Sequence, residues 1–148
     1  MNVNRRPATE ADVEFARGLH DTCYREVVIE QFGGWDPALQ AKFFQQKWDA
    51  EKFEIVEFGG VPIGVVAVPW RPDHLFVAEI QLDPAHQGRG VRTMIMDELI
   101  AAANSRRLPV RLQVLRHSRA RRWYERLGFA QTGESNTHLM LERAFDNG

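Results

Sequence analysis

A glycine-rich turn between an apolar strand and an amphipathic helix is the segment of this chain best suited to chemistry. The turn reads Gln-Gly-Arg-Gly over residues 87–90, follows an apolar run that ends at Leu82, and leads into a helical pattern. The first amides of a helix have no partner within the helix and carry the positive end of its dipole, so they favour a phosphate. Glycines at 88 and 90 let an anion approach the backbone and permit positive φ. The segment therefore predicts a site for a phosphorylated ligand.

The elements that must position this turn follow from periodicity and from turn residues. Apolar alternation between turn signals predicts seven strands, at about 2–7, 53–58, 61–69, 74–82, 109–115, 129–132 and 137–141. A helical period with caps at the starts predicts four helices, at about 9–24, 36–48, 90–104 and 119–127.

This order of elements predicts an α/β fold of the α+β type, with a mixed sheet. Most of the strands are expected to be antiparallel, and the crossover through the helix at 90–104 predicts one parallel pair. Helices are expected on both faces of the sheet. The chain shows no internal repeat and no linker, so residues 1–148 are interpreted as one domain.

Composition narrows the cellular setting. The chain has one cysteine, Cys23, no apolar run long enough to span a membrane and no apolar leader at its start. We therefore expect a cytoplasmic protein without membrane contact. Residues 1–83 carry 8 basic and 14 acidic side chains, a net of −6, while residues 84–148 carry 11 and 6, a net of +5. The anion-binding half begins near the turn, and the acidic half favours an amine-bearing partner.

Other phosphate and metal motifs fit less well. A dinucleotide turn needs a third glycine and a strand that opens a βαβ unit, and neither is present. No Gly-Lys-Ser/Thr follows the turn, which excludes a P-loop. The five histidines show no ligand spacing, so no metal site is expected.

Two blocks of sequence together resemble the GCN5-related N-acetyltransferase (GNAT) superfamily. The family turn Gln/Arg-x-x-Gly-x-Gly/Ala is matched by Gln87 and Gly90, with Arg92 at the last position. The family block Asn-x-Ala-x-x-x-Tyr-x-x-x-Gly-Phe is matched in order by Ser118, Ala120, Tyr124, Gly128 and Phe129. Arg92 in place of Gly or Ala, and Ser118 in place of Asn, are departures that predict altered cofactor contacts.

The resemblance implies acetyl-CoA as the acetyl-donating cosubstrate. It implies a GNAT-like fold in which the strand ending at Leu82 splays from its parallel neighbour, and the pantetheine arm binds between them. The residues it assigns to CoA binding are Ile80, Leu82, Gln87, Gly88, Arg89, Gly90, Val91, Arg92, Ser118, Arg121 and Tyr124. Arg121 is the arginine of the second block chosen for a phosphate contact.

The implied reaction is direct attack of an amine on the thioester. The Ile80 amide is expected to bind the thioester carbonyl, and Tyr124 to protonate the departing thiolate. The family position for a glutamate base falls at about Phe76, which cannot act as a base. Glu79 is the nearest carboxylate and is the candidate base. Further candidates that remain open are Glu26, Glu30 and His74, together with solvent alone.

The acceptor is expected to lie against the first two helices and the loop between them. Glu26 and Glu30 are candidates to attract an amine, and Phe32 and Trp35 to line a wall. The sequence does not name the acceptor, so a small-molecule amine and a peptide amine both remain open. Helices that simply pack their aromatic side chains inward are the alternative interpretation.

Two other functions remain as alternatives. Arg92, Ser118 and the missing glutamate also fit a catalytically degenerate domain that senses acyl-CoA without turnover. The arginines of residues 116–122 also suggest a basic helix for nucleic acid, but the net charge of −1 argues against it. Dimers are common in the family that the chain resembles, so a homodimer is left open.

Overall fold

The computed structural model describes residues 2–146, which form eight strands and four α-helices. The strands are β1 Val3–Pro7, β2 Glu54–Phe58, β3 Val61–Ala67, β4 Leu75–Val77, β5 Glu79–Leu82, β6 Val110–Leu115, β7 Ala130–Glu134 and β8 His138–Arg143. The helices are α1 Val13–Phe32, α2 Pro37–Ala50, α3 Val91–Ser105 and α4 Arg121–Arg126. None of the helices in residues 2–146 has the length and apolarity that crossing a bilayer requires.

The strands form two four-stranded sheets rather than one continuous sheet. Their orders are β1-β2-β3-β5 and β4-β6-β8-β7. Within the described residues β4 and β6 are the parallel pair, and the other strand pairs are antiparallel. The predicted mixed fold with mostly antiparallel strands and one parallel pair is therefore confirmed.

The strand predicted at 74–82 is wrong as a single element, because the chain changes sheets at Ala78. The Phe76 amide donates to the Pro69 carbonyl (3.0 Å) and the Ala78 amide to the Ala67 carbonyl (2.8 Å). After Ala78 the chain pairs with β3 alone, which makes β5 a separate strand of the other sheet. Continuous apolar alternation across 75–82 gave no sign of this exchange of partners.

Helix α1 is also longer than predicted, since it continues past Tyr24 to Phe32. It ends where Gly33 adopts φ 85°, a left-handed conformation that suits glycine. Helix α2 begins as predicted, with the Asp36 carboxylate accepting hydrogen bonds from the amides of Ala38 and Leu39. The extra turns of α1 carry Val28 and Phe32 over the β-sheet edge where the candidate site lies.

Two apolar clusters pack against opposite faces of the sheets. One contains Ile95, Met96 and Leu99 of α3 packed against β4, β6 and β8, and it is the larger of the two. The other contains Ala16 and Leu19 of α1 with Phe44 of α2, packed against Val65 and Ala67 of β3 and neighbouring residues. Helices on both faces, as predicted, leave the splayed edges of β5 and β6 between the two clusters.

Candidate active site

A cleft opens where β5 leaves the neighbourhood of β6. β4 pairs with β6 as far as Val77 and Leu112, and β5 then pairs only with β3. The last residues of β6 pair with β8 on one side and face the cleft on the other. A cavity of about 380 Å³ lies here, lined by both strands and by side chains from α1, α3 and α4. The parting of the two strands agrees with what the resemblance implied.

The glycine turn lies beside this cleft and has the geometry of an anion site. Gly88 and Gly90 both have φ 79°, and no neighbouring atom lies within 4 Å of the position of a Cβ at either residue. Gly90 is the N-cap of α3, so the amides that follow it have no partner within the helix. The Gln87 side-chain amide donates to the Leu82 carbonyl (3.1 Å), which ties the turn to the end of β5.

Arg92 reaches into the cavity instead of pointing to solvent. Its guanidinium carbon lies 3.8 Å from the centroid of the Trp123 indole ring, and the side chain lines the cavity with Cys23 and Tyr124. Burial lowers the pKa of Arg92, while its charge acts on the Tyr124 hydroxyl and the Cys23 thiol. Arg92, which belongs to α3, thus occupies the part of the cleft that lies next to α4.

Tyr124 is a buried phenol in the wall of the cleft. It is 6% exposed, lines the smaller cavity, and its hydroxyl makes no hydrogen bond within residues 2–146. Burial raises the pKa of Tyr124 to about 12, although the nearby Arg92 charge opposes that rise. The phenol is therefore protonated at neutral pH, as a general acid must be before it acts.

Glu79 is a buried carboxylate at the meeting point of two cavities. It is 7% exposed, accepts a hydrogen bond from the Tyr24 hydroxyl (2.9 Å), and pairs with the Lys47 ammonium (3.2 Å). Burial, followed by the Glu79 charge, raises the pKa of Tyr24 well above its ordinary value, so Tyr24 acts as a fixed donor to the carboxylate.

A second and larger cavity of about 770 Å³ lies between α1, α2 and the same strands. Its walls are mainly apolar and include both aromatic residues predicted for the acceptor, Phe32 and Trp35. The residues that line both cavities are Tyr24, Lys47, Glu79, Gln81, Leu115 and His138. A donor in the smaller cavity and an acceptor in the larger one would therefore meet beside Glu79.

Several predicted residues lie outside both cavities. Glu26 is exposed and pairs with Arg119 (3.1 Å), and Glu30 lies 3.9 Å from His117. The His74 ring contacts Asp73 at 2.7 Å, also outside the cavities. These three are therefore not brought to the cleft as bases, and the two glutamates do not line the acceptor wall. The sequence predicted that these residues lie near the site, but it did not predict the direction of their side chains.

The residues predicted to bind the cofactor also divide into some that line the smaller cavity and some that do not. Ser118 lines the smaller cavity and accepts a hydrogen bond from the Ala120 amide (3.2 Å), but Ala120 is the N-cap of α4, so Ser118 does not cap the helix as expected. Arg121 instead binds the carboxylate of Glu125 (2.9 Å) and the side chain of Gln131 (3.0 Å) on the surface. Ile80 and Leu82 line the smaller cavity, and Arg89 is exposed in the turn.

Among the polar residues that line both cavities, Tyr24, Lys47, Gln81 and His138 were missed from sequence. Gln81 was accessible to reasoning, because it lies two positions after Glu79 and so shares its face of a strand. The others come from α1, α2 and β8, and only the tertiary fold brings them to the strand.

Residues 2–146 contain no group of three or more His, Cys, Asp or Glu side chains arranged for a metal ion.

Comparison with known proteins identifies the family. The profile described as the Acetyltransferase (GNAT) family matches residues 18–129, and the chain therefore belongs to the GNAT acetyltransferase family. Among curated proteins there is no match.

Solved structures share the fold over the whole chain. PaiA N-acetyltransferase from Thermoplasma acidophilum, solved in complex with coenzyme A, superposes with a TM-score of 0.77 at 14% identity, covering 98% of this chain and 100% of its own. An acetyltransferase from Thermus thermophilus gives 0.73 at 16% identity, covering 98% of each chain. A GNAT family acetyltransferase from Elizabethkingia anophelis with acetyl-CoA bound gives 0.67 at 13% identity, covering 97% of this chain and 99% of its own. At these identities the likeness establishes the fold.

Proposed function

We propose that this protein transfers an acetyl group from acetyl-CoA to a primary amine by direct attack in a ternary complex. The observation that carries the proposal is the position of Glu79, a buried carboxylate where the two cavities meet. An acid–base pair is needed on opposite sides of the reacting carbon, and Tyr124 lies in the smaller cavity while Glu79 also lines the larger one.

The residues of the smaller cavity suit the donor. Within residues 2–146 the edge of β5 has no strand partner on the cleft side, and such backbone groups need hydrogen bonds that the amides of a pantetheine arm can supply. The turn at 88–92 suits a pyrophosphate, because two glycines and free helix amides lie together there. We assign the Ile80 amide to the thioester carbonyl, where an oxyanion donor contributes about 3 kcal/mol in comparable reactions.

The chain's own groups balance the proton transfers. A neutral amine forms a C–N bond as the C–S bond breaks, so the nitrogen loses one proton and the sulfur gains one. Glu79 receives the proton of the amine, held in place by Tyr24 and Lys47. Tyr124 supplies the proton to the thiolate, and its pKa of about 12 keeps its hydroxyl protonated at neutral pH. Proton exchange with solvent then returns Glu79 to its ionised form and Tyr124 to its protonated form.

A substitution at Glu79 tests this assignment. Glu79→Gln keeps the shape and the Tyr24 contact but removes the base, so kcat/KM for the amine should fall about 100-fold. The Kd for acetyl-CoA, measured by calorimetry, should change less than twofold. Glu26→Gln is the matched control, because Glu26 is exposed and lines neither cavity, and its rate should stay unchanged.

Binding separates the proposal from its alternative. Acetyl-CoA should raise the thermal midpoint of the wild-type protein by linkage, and CoA should be released when an amine is added. A clear midpoint shift without turnover across a broad panel of amines would instead support the acyl-CoA sensor. No shift at millimolar acetyl-CoA would refute both interpretations.

A further inference from the structure

Gln81 is a buried polar residue without a partner. It is 6% exposed, and its amide nitrogen makes no hydrogen bond within residues 2–146. Leaving a buried amide unpaired lowers stability, so such a group in a cavity wall usually serves a ligand or a bound water. Gln81 lines both cavities, which places its side chain beside the space where substrate would lie.

The strand register shows which substrate it faces. Across β3 and β5, Gln81 pairs with Val65 and Glu79 with Ala67. Val65 and Ala67 belong to the apolar cluster packed under α1 and α2. Side chains of directly paired residues lie on the same face, so Glu79 and Gln81 both point toward the helices and the larger cavity. Their Cα atoms are two residues apart along a strand, or ~6.6 Å.

The walls around this pair are mainly apolar, and the basic side chains among their lining residues are His20, Lys47 and His138. The aromatic and aliphatic lining includes Val28, Phe32, Trp35, Phe43, Phe44 and Leu115. Lys47 is paired with Glu79, and the His20 Nε2 lies 3.1 Å from the Gln40 side-chain oxygen. Burial together with the Lys47 charge lowers the pKa of His138. His138 is therefore uncharged at neutral pH, and a carboxylate on the substrate would be left without a counter-charge.

We propose that the acceptor is a small primary amine with a large aromatic or branched apolar body and an uncharged oxygen acceptor close to the amino group. Glu79 binds the amino group of the acceptor, and the Gln81 side-chain amide donates a hydrogen bond to its oxygen. The apolar body lies against α1 and α2. This inference rests on the proposed acetyltransfer and specifies the substrate class of the same site.

A matched panel of amines tests the class. With acetyl-CoA as donor, phenylalaninamide should exceed alaninamide in kcat/KM by at least about tenfold, because its benzyl group is buried. Phenylalaninamide should also exceed free phenylalanine, whose carboxylate has no counter-charge in the cavity. Preference for spermidine, or for alaninamide over phenylalaninamide, would overturn the proposal.

A substitution at Gln81 tests the hydrogen bond. Gln81→Leu removes the donors at similar volume, so kcat/KM for phenylalaninamide should fall about tenfold while that for phenethylamine, which lacks the oxygen, should hold or rise. The thermal midpoint should hold or rise, because an unpaired polar group is removed. Gln81→Met gives the same test at a second side chain, and Gln46→Leu, exposed and outside both cavities, is the control. An equal loss for both amines would place Gln81 in donor binding instead and overturn the assignment.

Failure of this inference differs from failure of the proposed function. Turnover of polar amines together with inactivity toward phenylalaninamide would reject the apolar acceptor and retain the acetyltransferase. Absence of turnover for every amine, together with no midpoint shift by acetyl-CoA, would reject both.

Discussion

The guanidinium of Arg92 lies over the indole of Trp123, with Cζ 3.8 Å from the ring centroid. This contact joins the first turn of α3 to α4 across the mouth of the smaller cavity. Arg92 makes no salt bridge within residues 2–146, so the aromatic face is the group that holds its charge there. The residue that departs from the family turn thus has its guanidinium held against the indole of α4.

Removal of Arg92 should preserve or strengthen CoA binding. Arg92→Ala frees volume in the cleft and leaves Gly88, Gly90 and the helix amides intact. Isothermal calorimetry should show a Kd for CoA equal to or below that of the wild type. Arg106→Ala is the matched control, because Arg106 stacks 3.7 Å from the Trp70 centroid outside the cavities. A loss of more than about tenfold in affinity at Arg92 alone would show that its guanidinium grips phosphate.

Replacement of Tyr124 by Phe should slow chemistry without weakening donor binding. The ring keeps its packing against Trp123 and Phe129, but the proton donor is lost. We expect kcat to fall about 100-fold to 1,000-fold, with the Kd for acetyl-CoA within twofold. Tyr24→Phe is the comparison, because its hydroxyl only orients Glu79, and its kcat should fall about tenfold. An unchanged rate in Tyr124→Phe would remove the general-acid role.

Gly64 should tolerate no larger side chain. A Cβ at Gly64 would meet the Gln81 carbonyl oxygen and lie 2.6 Å from Cδ2 of Leu82, so β5 would have to move. Gly64→Ala should lower the free energy of unfolding by about 2 kcal/mol and reduce turnover with it. Gly133→Ala is the matched control in a strand, where the nearest atom would be 4.0 Å away. Urea denaturation measures both, and equal stabilities would contradict the close approach of β3 and β5.

Cys23 should react slowly with alkylating reagents despite lining the smaller cavity. Burial, followed by the charges of Glu79 and Asp83, raises the pKa of its thiol from 9.0 to about 11. A pKa of about 11 in place of 9.0 leaves about 100-fold less thiolate at neutral pH, and thiolate is the reactive form. Iodoacetamide labelling followed by mass spectrometry should show this retardation, with the rate increasing up to about pH 11. Labelling at the rate of free cysteine at pH 7.5 would refute it.

The fold was largely predictable because its local signals agree with one another. The Gly59-Gly60 hairpin, the Asp36-Pro37 helix start and the glycine turn each use residues that the observed backbone requires. The change of sheets at Ala78 was not predictable, since it depends on which strand supplies the neighbouring carbonyl. An alternating apolar pattern indicates on which face of a strand a side chain lies, but it does not indicate which strand pairs with it.

The candidate site was predictable where its residues lie within one sequence motif, and less predictable where they come from distant parts of the chain. Tyr124 and the glycine turn come from contiguous blocks and line or border the cleft, as expected. Glu26 and Glu30 instead lie outside the acceptor cavity. Lys47 reaches Glu79 from a helix 32 positions earlier in the chain, and no local spacing reports such a contact.

Because the chain changes sheets at Ala78, β5 has one edge with which no strand of residues 2–146 pairs. With acetyl-CoA laid along β5, the proposed donor becomes a removable strand between two four-stranded sheets. The lifetime of the folded protein is then coupled to donor supply, because a ligand that binds only the native state lowers the unfolded fraction open to proteolysis. Under the proposed function, a shortage of acetyl-CoA in the cell would lower both the reaction rate and the amount of folded protein.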